Sequence, residues 1–486
     1  MPGSFTTTAH RSLRSNALRT ATRSCRAPAT VQRRCFLTSF WLRKPAQATA
    51  ERATSPAPPP ASRQEHFVHG TKSASNAGTP DAKPAKHVAV SIDGDTRTFD
   101  TVFLRDSCTC PDCVDPDSRQ KLYQTSDIPE DLEGACRTLV DEEKGAVIEI
   151  AWKNDVKGFA PEHRTRHSID WLRRALNTEL DLRGGVRHDE RVLWDKDTIV
   201  KNNKWVDYKD WMAQDGVLFD ALTHLNQYGL LFLKNVPESE ESVVGIAGRI
   251  GTLKATFYGR TWDVRSKAQA ENIAYTPKYL GLHMDLLYTT NPPHLQLLHS
   301  LRARTPGGES FFSDSFHAAY RLQQRSAFHF RTLCTFPVTY HYHHPTHHYH
   351  YTRPTIELHP YPKYSEPTSV AINRVNWAPP FQAPFEARIG GENQTALRNY
   401  ISAANAYDKL LSSEDNIFEH KLNEGECVIF DNRRVLHARN AFDATKGERW
   451  LKGAYVDDDV FFSKLRVLEE RYKGRWHADG VVRPAV

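Results

Sequence analysis

Short apolar runs separated by turn residues recur through the second half of the chain. Each run alternates apolar and polar positions or forms a brief apolar stretch, which is typical of β-strands. Four such runs are HLQLLHSL (294–301), ESFFSDSF (309–316), ECVIFDN (426–432) and KGAYVDDD (452–459). Many short strands at this spacing predict a jelly roll, in which two sheets pack face to face.

Two helical patterns accompany these strands. SVVGIAGRIG (242–251) has helical periodicity and ends on a glycine, and LRNYISAANAYDKLLS (397–412) is a longer helix before the last strands. The sequence therefore predicts a mostly β domain with flanking helices over residues 205–475.

A second, smaller set of strands precedes this domain. VAVSIDG (88–94) and TRTFDTVFLRD (96–106) resemble strands around an Asp93–Gly94 turn, and AVIEIAW (146–152) is another strand. SIDWLRRAL (168–176) has the pattern of a helix. We expect a small β-rich N-terminal domain over residues 87–182.

The first 86 residues have a different composition. Residues 51–86 are rich in Pro, Ala and Ser, which predicts a disordered linker because such a segment buries little apolar area. Residues 1–50 contain eight Arg, Lys44 and no acidic residue, with Leu13 and Ala17 at helical spacing. A basic amphipathic segment without acids is typical of a mitochondrial transit peptide, so we expect a matrix protein.

Charge and hydropathy narrow the class of partner. The net charge is +6, but the first 50 residues carry +9, so the rest of the chain is at −3. This balance gives no support to nucleic-acid binding. No apolar run reaches the ~18 residues of a membrane span. A small-molecule substrate is the expected partner, and homodimerisation is left open.

A candidate metal site follows from two His and one Asp. His283 and Asp285 are two apart in GLHMDLLY, so on a strand they would point to the same face. His437, in FDNRRVLHARNAF, offers a third ligand far downstream. Two imidazoles and one carboxylate on one face of an octahedral ion suit Fe(II) and leave three positions open.

A candidate anion-binding residue follows the last of these ligands. Arg449 lies twelve residues after His437, and its planar fork suits the carboxylate of a dicarboxylic co-substrate. Gly307–Ser310 adds a turn and a hydroxyl just before a strand.

Together these motifs resemble the taurine dioxygenase-like oxygenases, and most closely the branch with gamma-butyrobetaine dioxygenase and trimethyllysine dioxygenase. The matching stretches are TFYGRTW (256–262), ENIAYT (271–276), LHMD (282–285), PPHLQLLH (292–299), GGESFFSD (307–314), DNRRVLHARNAF (431–442) and RWLKGAYVDDD (449–459). The resemblance implies a double-stranded β-helix and Fe(II) on His283, Asp285 and His437. It also implies O2 and 2-oxoglutarate as co-substrates, with 2-oxoglutarate held by Arg449, Asn272 and Ser310, and it leaves ascorbate open.

The same resemblance implies a pocket for a trimethylammonium group. Such a group donates no hydrogen bonds and is held by aromatic faces. The matching aromatic positions are Tyr258, Trp262, Tyr275 and Tyr455.

Two positions depart from the butyrobetaine pattern, since Leu286 replaces an aromatic residue and Ala378 an amide. Gamma-butyrobetaine, hydroxylated to carnitine, is the first expectation for the substrate. Trimethyllysine or another small molecule is the alternative, and a catalytically silent scaffold is the alternative of another class.

Three cysteines predict a second metal site. Cys108, Cys110 and Cys113 lie within six residues, and zinc takes four S or N ligands in a tetrahedron. The family resemblance implies a distant His as the fourth ligand of a structural zinc, with His163 expected and His167 as its competitor. The His-rich segment 341–351 is expected to line a loop without a dedicated metal site.

Overall fold

The computed structural model describes residues 86–141, 145–176, 191–265, 273–359, 372–386 and 392–473. All of them fall in one compact unit. The predicted transit peptide, all of the predicted linker except Lys86, and Asn272 lie outside the described residues.

The described chain contains nineteen strands and ten α-helices. The strands, in chain order, are β1 His87–Ile92, β2 Asp95–Asp100, β3 Gly134–Asp141, β4 Gly145–Trp152, β5 Arg164–Ser168, β6 Trp205–Asp207, β7 Leu230–Lys234, β8 Thr261–Val264, β9 Leu280–His283, β10 Leu295–Ala303, β11 Ser310–Asp314, β12 Pro337–His344, β13 His347–Pro354, β14 Ile356–Leu358, β15 Ile372–Val375, β16 Ile417–His420, β17 Cys427–Asp431, β18 Val435–Arg439 and β19 Arg449–Val456. The helices are α1 Thr101–Asp106, α2 Ile169–Ala175, α3 Lys196–Asn202, α4 Tyr208–Ala213, α5 Asp215–Tyr228, α6 Glu240–Ile250, α7 Ser315–Arg325, α8 Ala327–Thr335, α9 Glu392–Leu411 and α10 Asp458–Lys473. None of these helices is long and apolar enough to cross a membrane.

The N-terminal elements form a hairpin, β1–β2, and a three-stranded sheet, β3–β4–β5. They share a hydrophobic core whose members all lie between Val88 and Leu172. The hairpin turns at Asp93–Gly94 as expected, and both residues have positive φ. The second predicted strand was wrong beyond Asp100, because the Asp100 side chain accepts a hydrogen bond from the Val102 amide and caps helix α1 there.

The larger part of the chain confirms the expected mostly β, double-sheet fold. One sheet has six strands in the order β6-β7-β17-β10-β19-β8, and the other has four in the order β16-β11-β18-β9. Phe312 of the smaller sheet contacts both Phe232 and Phe430 of the larger one, with ring centroids 5.9 and 5.7 Å away. The two sheets therefore share one core.

The larger sheet is buried on both faces, which explains its nearly continuous apolar runs. In the run Leu230–Leu233, Leu230 and Phe232 belong to the core between the sheets, whereas Leu231 and Leu233 pack against helices. Helices α4, α5, α6 and α10 supply that second layer. The core between the sheets already includes Trp194, eleven residues before the expected start of the domain.

The His-rich segment is not a loop. Strands β12 and β13 pair in register from Pro337↔Pro354 to His344↔His347, so residues 341–351 form the distal part of a hairpin. The expectation of a loop was wrong because Tyr342 and Tyr349 alternate with the histidines and pack into the core between the sheets.

Candidate active site

The smaller sheet brings the three predicted iron ligands together. His283 is the last residue of β9 and lies directly opposite His437 of β18. Asp285 lies in the turn two residues later, so the expectation that it shares a strand with His283 was wrong. An Asp285 carboxylate oxygen is 3.4 Å from His283 Nε2 and 3.9 Å from His437 Nε2. One donor atom from each residue lies within 4.8 Å of the other two. These atoms can converge on one ion with small side-chain rotations.

Neighbouring groups hold these side chains in position. His283 Nδ1 donates to the carbonyl of Gly281 at 2.8 Å, which leaves Nε2 free as a ligand. The Tyr455 hydroxyl donates to the second Asp285 oxygen at 2.6 Å. Asn432 accepts from the Asp285 amide at 2.8 Å and donates to the Asp285 carbonyl at 3.1 Å. The turn that carries Asp285 is therefore held by the turn between β17 and β18.

The ionisation states fit a divalent ion. Burial alone would raise the pKa of Asp285, but contacts with His283, His437 and Tyr455 lower it well below its usual range. Burial lowers the pKa of His437 to about 3, so this imidazole is neutral. An ionised carboxylate beside a neutral imidazole is the ligand chemistry that Fe(II) requires.

Arg449 is the first residue of β19. Arg449, Leu451 and Tyr455 alternate along the strand, so their side chains point to the same face of the sheet. Burial and the nearby Arg439 lower the pKa of Arg449 to about 9. No described residue forms an ion pair or a hydrogen bond with its guanidinium, which leaves it free to bind an anion.

The turn before β11 packs against Arg449. A side chain at Gly308 would approach Arg449 Nε to 3.1 Å, and Gly308 has a φ of +78°, so only glycine suits this position. Ser310 is buried two residues later, opposite Arg439. The cavity beside Arg449 is also lined by Arg302 and Lys421. Two further basic side chains therefore line the cavity beside Arg449.

The four aromatic residues predicted to surround a trimethylammonium group, here called the cage residues, all line one pocket next to the candidate iron ligands. Tyr258, Trp262, Tyr275 and Tyr455 share this pocket with His283 and Asp285. The rings of Trp262 and Tyr455 stack with centroids 3.9 Å apart, and those of Tyr258 and Tyr275 meet edge to face at 6.4 Å. Asp285 is the one carboxylate among the residues lining this pocket.

Two aromatic residues of this pocket were missed from the sequence. Tyr288 and Phe381 also line it, and the Tyr288 hydroxyl lies 3.4 Å from that of Tyr258. Tyr288 is three residues after Asp285 and Phe381 lies in a distant turn, so no spacing pattern indicated either residue. Asn432 was missed for the same reason, although it lies within a stretch that matched the family.

Leu286, one of the two positions that depart from the butyrobetaine pattern, also lines the pocket, and its side chain is buried. Its φ is +61°, a left-handed conformation that costs an ordinary residue on the order of 1 kcal/mol. Ala378 is buried and does not line the pocket, but its carbonyl accepts a hydrogen bond from the Phe381 amide. Both positions thus affect the shape of the pocket wall.

The cysteines form a second cluster in the N-terminal part. The sulfur atoms of Cys108, Cys110 and Cys113 lie 3.7, 3.3 and 3.3 Å from His163 Nε2. His167 points elsewhere, because its Nε2 bonds the Leu104 carbonyl at 2.8 Å. The structure thus places the expected residue, and not its competitor, beside the three thiols.

Asp155 supports this cluster and was missed from the sequence. It accepts a hydrogen bond from His163 Nδ1 at 2.6 Å and also pairs with the buried Arg105. Burial opposes protonation of His163, but the bonds to Asp155 and the thiols outweigh it and raise the pKa of His163 to about 10. A carboxylate on the far nitrogen of a ligand histidine is the usual support of a zinc site.

Comparison with known proteins agrees with the motifs. A model of the taurine catabolism dioxygenase TauD, TfdA family matches residues 197–455, which is more than half of the chain. The chain belongs to this family. Dependence on Fe(II), 2-oxoglutarate and O2 is typical of it. The family resemblance found in the motifs is thus confirmed.

Several relatives match over most of their length. Dioxygenase str8 of Strobilurus tenacellus is 38% identical over 381 residues, covering 75% of this chain and 84% of that protein. Gamma-butyrobetaine dioxygenase of a Pseudomonas species is 29% identical over 386 residues, covering 78% and 92%. Trimethyllysine dioxygenase of Meyerozyma guilliermondii is 26% identical over 394 residues, covering 78% and 93%.

Proposed function

We propose that this dioxygenase hydroxylates a small trimethylammonium compound, with Fe(II) on His283, Asp285 and His437. The observation that carries the proposal is one pocket in which six aromatic side chains, four of them predicted from the sequence, adjoin two of these ligands. When bound, iron with 2-oxoglutarate and O2 supplies the oxidising chemistry, in which 2-oxoglutarate is converted to succinate and CO2.

The protein's own residues hold and orient the reactants. Arg449 binds the far carboxylate of 2-oxoglutarate, and the adjacent Gly308 leaves room for its guanidinium. Ser310 and Asn272 are proposed further contacts of 2-oxoglutarate. Tyr455 and Asn432 keep Asp285 in place, so that one carboxylate oxygen faces the metal and the other stays hydrogen-bonded.

The aromatic pocket fixes the head group of the substrate. A trimethylammonium group gains about 0.5–2 kcal/mol from each ring face that it contacts. Tyr258, Trp262, Tyr275 and Tyr455 provide such faces, and holding the cation there determines which carbon faces the iron.

Gamma-butyrobetaine is our first candidate substrate, which would place the enzyme in carnitine biosynthesis. Trimethyllysine is the second, and an unassigned small molecule the third. Two observations favour keeping the third candidate. Leu286 departs from the butyrobetaine pattern, and a relative named only as a dioxygenase is 38% identical, whereas the gamma-butyrobetaine dioxygenase relatives reach 29%. A catalytically silent scaffold is disfavoured, because His283, Asp285, His437 and Arg449 are all present and the three metal ligands lie together.

A substrate panel tests the proposal. Succinate formation is followed with gamma-butyrobetaine, trimethyllysine and the dimethylamine analogue of each, at equal iron and 2-oxoglutarate. We expect the trimethyl compounds to be preferred about tenfold in kcat/KM, the equivalent of one to two ring contacts. Equal turnover of the dimethyl and trimethyl forms would exclude the cage while leaving the dioxygenase chemistry intact.

We further propose a structural zinc on Cys108, Cys110, Cys113 and His163, and a mitochondrial matrix location. The zinc proposal is supported by the three sulfur atoms grouped around one His nitrogen and by Asp155 behind it. The location is supported by the acid-free basic composition of residues 1–50.

A further inference from the structure

The hairpin β12–β13 has a sequence that reads almost the same in both directions. Residues 341–350 are HYHH-PT-HHYH, with Pro345–Thr346 at the turn. The register pairs His with His and Tyr with Tyr: His341↔His350, Tyr342↔Tyr349, His343↔His348 and His344↔His347. Three histidine pairs therefore lie across one short ribbon.

The two faces of this ribbon differ. Tyr342 and Tyr349 share the inner face, where they lie 5.5 and 6.1 Å, centroid to centroid, from the pocket residue Tyr288. Alternate residues of a strand point to opposite faces. The outer face therefore carries four histidines: His341, His343, His348 and His350.

We call these four residues the outer histidines. Three of them are exposed, His341 is half-buried, and the rings of His343 and His348 have centroids 4.5 Å apart. None of the four forms a hydrogen bond or an ion pair with any residue that the structure describes. On the same face Thr339 and Thr352 hydrogen-bond across the strands at 2.9 Å, which fixes the register beneath them.

The central pair of the outer histidines repeats one feature of the candidate iron site. There His283 and His437 lie directly opposite each other on two strands, and the third candidate ligand, Asp285, lies in the turn two residues after His283. On the hairpin His343 and His348 are directly opposite, and His341 and His350 lie two residues along on each strand. Rotation of exposed imidazoles can bring three or four nitrogens to one ion.

We propose that the outer histidines form a binding site for a divalent transition metal, of which Zn2+ is the representative ion. The ligand set is imidazole alone, without a carboxylate or a thiolate. Such a set favours Zn2+, Cu2+ and Ni2+ over Mg2+, Ca2+ and Mn2+. The site is separate from the candidate iron site and from the cysteine cluster.

A bound ion would crosslink strands β12 and β13. The inner-face tyrosines of these strands pack around the aromatic pocket. Tyr342 lies 6.3 Å from Tyr258, and Tyr349 lies 4.7 Å from Phe257, centroid to centroid. Metal binding on the outer face would therefore restrict the motion of this side of the aromatic pocket.

The test uses the untagged full-length protein with its iron and cysteine sites already loaded. Equilibrium dialysis against Zn2+ is followed by elemental analysis of wild type and of the double variant His343→Asn/His348→Asn. We expect wild type to hold one more Zn2+ per chain than the double variant.

The matched control is His344→Asn/His347→Asn, which removes one histidine pair from the other face of the same hairpin. It should keep the additional Zn2+. Equal zinc content in wild type and the outer variant would overturn the proposal, and so would loss of the ion in the control.

Cu2+ provides a second probe through electron paramagnetic resonance. Coupling to several imidazole nitrogens is expected in wild type and in the control but not in the outer variant. Sedimentation in the same buffer should show no increase in mass with Zn2+ or Cu2+. A metal-dependent dimer that needs His343 and His348 would overturn a site within one chain.

Discussion

At the scale of single residues, Arg449 is the charged group of the candidate active site that most clearly lacks an acidic partner among the described residues. Its pKa is lowered to about 9 by burial and by Arg439, and no described acidic side chain pairs with it. A bound anion would offset this burial cost. The proposed anion is a carboxylate of 2-oxoglutarate, held by two parallel hydrogen bonds.

Arg449→Lys tests this role, because lysine keeps the charge but loses the planar fork. We expect the KM for 2-oxoglutarate to rise on the order of tenfold or more, the equivalent of about one charge-assisted hydrogen bond. Initial rates of succinate formation measure it. Arg302→Lys is the control, because Arg302 lines the same cavity but pairs with Glu238, and its KM should stay unchanged. An unchanged KM in Arg449→Lys would remove Arg449 from this role.

Tyr455 combines two tasks, since its ring stacks on Trp262 and its hydroxyl bonds Asp285. Tyr455→Phe removes only the hydroxyl. We expect iron affinity to fall about 10–100-fold, as for other groups that support a metal ligand, while the KM for the trimethylammonium substrate changes little.

Anaerobic iron titration measures the affinity of this variant. Tyr288→Phe is the control, because Tyr288 lines the same pocket but its hydroxyl faces Tyr258. Equal iron affinities in the two variants would show that the bond to Asp285 does not support the metal.

At the scale of elements, local patterns predicted central strands of the larger sheet, but not the short strands β9 and β18 that carry His283 and His437, nor every boundary. The runs around Leu298 and Ile429 form central strands of the larger sheet, as expected. TVFLRD became a helix because one side chain, Asp100, caps it. The His-rich segment forms a hairpin because tyrosines alternate with its histidines and pack into the core. The many histidines made this alternation difficult to recognise in the sequence.

The cysteine cluster joins two separate segments of the N-terminal part. Cys108, Cys110 and Cys113 follow α1, and His163 precedes β5. A metal that bridges them adds its binding free energy to folding. We expect Cys110→Ser to lose zinc and to lower Tm by at least about 5 °C, the equivalent of roughly 1 kcal/mol in a small domain.

Thermal unfolding combined with zinc analysis checks this expectation. Cys136→Ser is the matched control, since Cys136 lies on β3 outside the cluster and should keep both zinc and Tm. Full zinc content and an unchanged Tm in Cys110→Ser would contradict a structural zinc site.

At the scale of the whole molecule, the site depends on contacts between segments far apart in sequence. His283, Asp285 and His437 were predictable because the spacing of the first two and the segment around the third match recognisable motifs, although Asp285 lies in the turn after β9 and not on the strand. Asn432 and Phe381 were not, because only the folded sheets bring them to Asp285 and the pocket. The sequence thus predicts the metal chemistry more fully than the pocket that selects the substrate.

The most direct test of the central claim is hydroxylation of gamma-butyrobetaine under isotope-labelled O2, analysed by mass spectrometry. The claim predicts one labelled oxygen atom in the hydroxylated product and one in succinate, with both products lost in His437→Ala. Succinate without a hydroxylated product for gamma-butyrobetaine, trimethyllysine and related trimethylammonium compounds would contradict the proposed substrate class. Undiminished product formation in His437→Ala would contradict the proposed iron site itself.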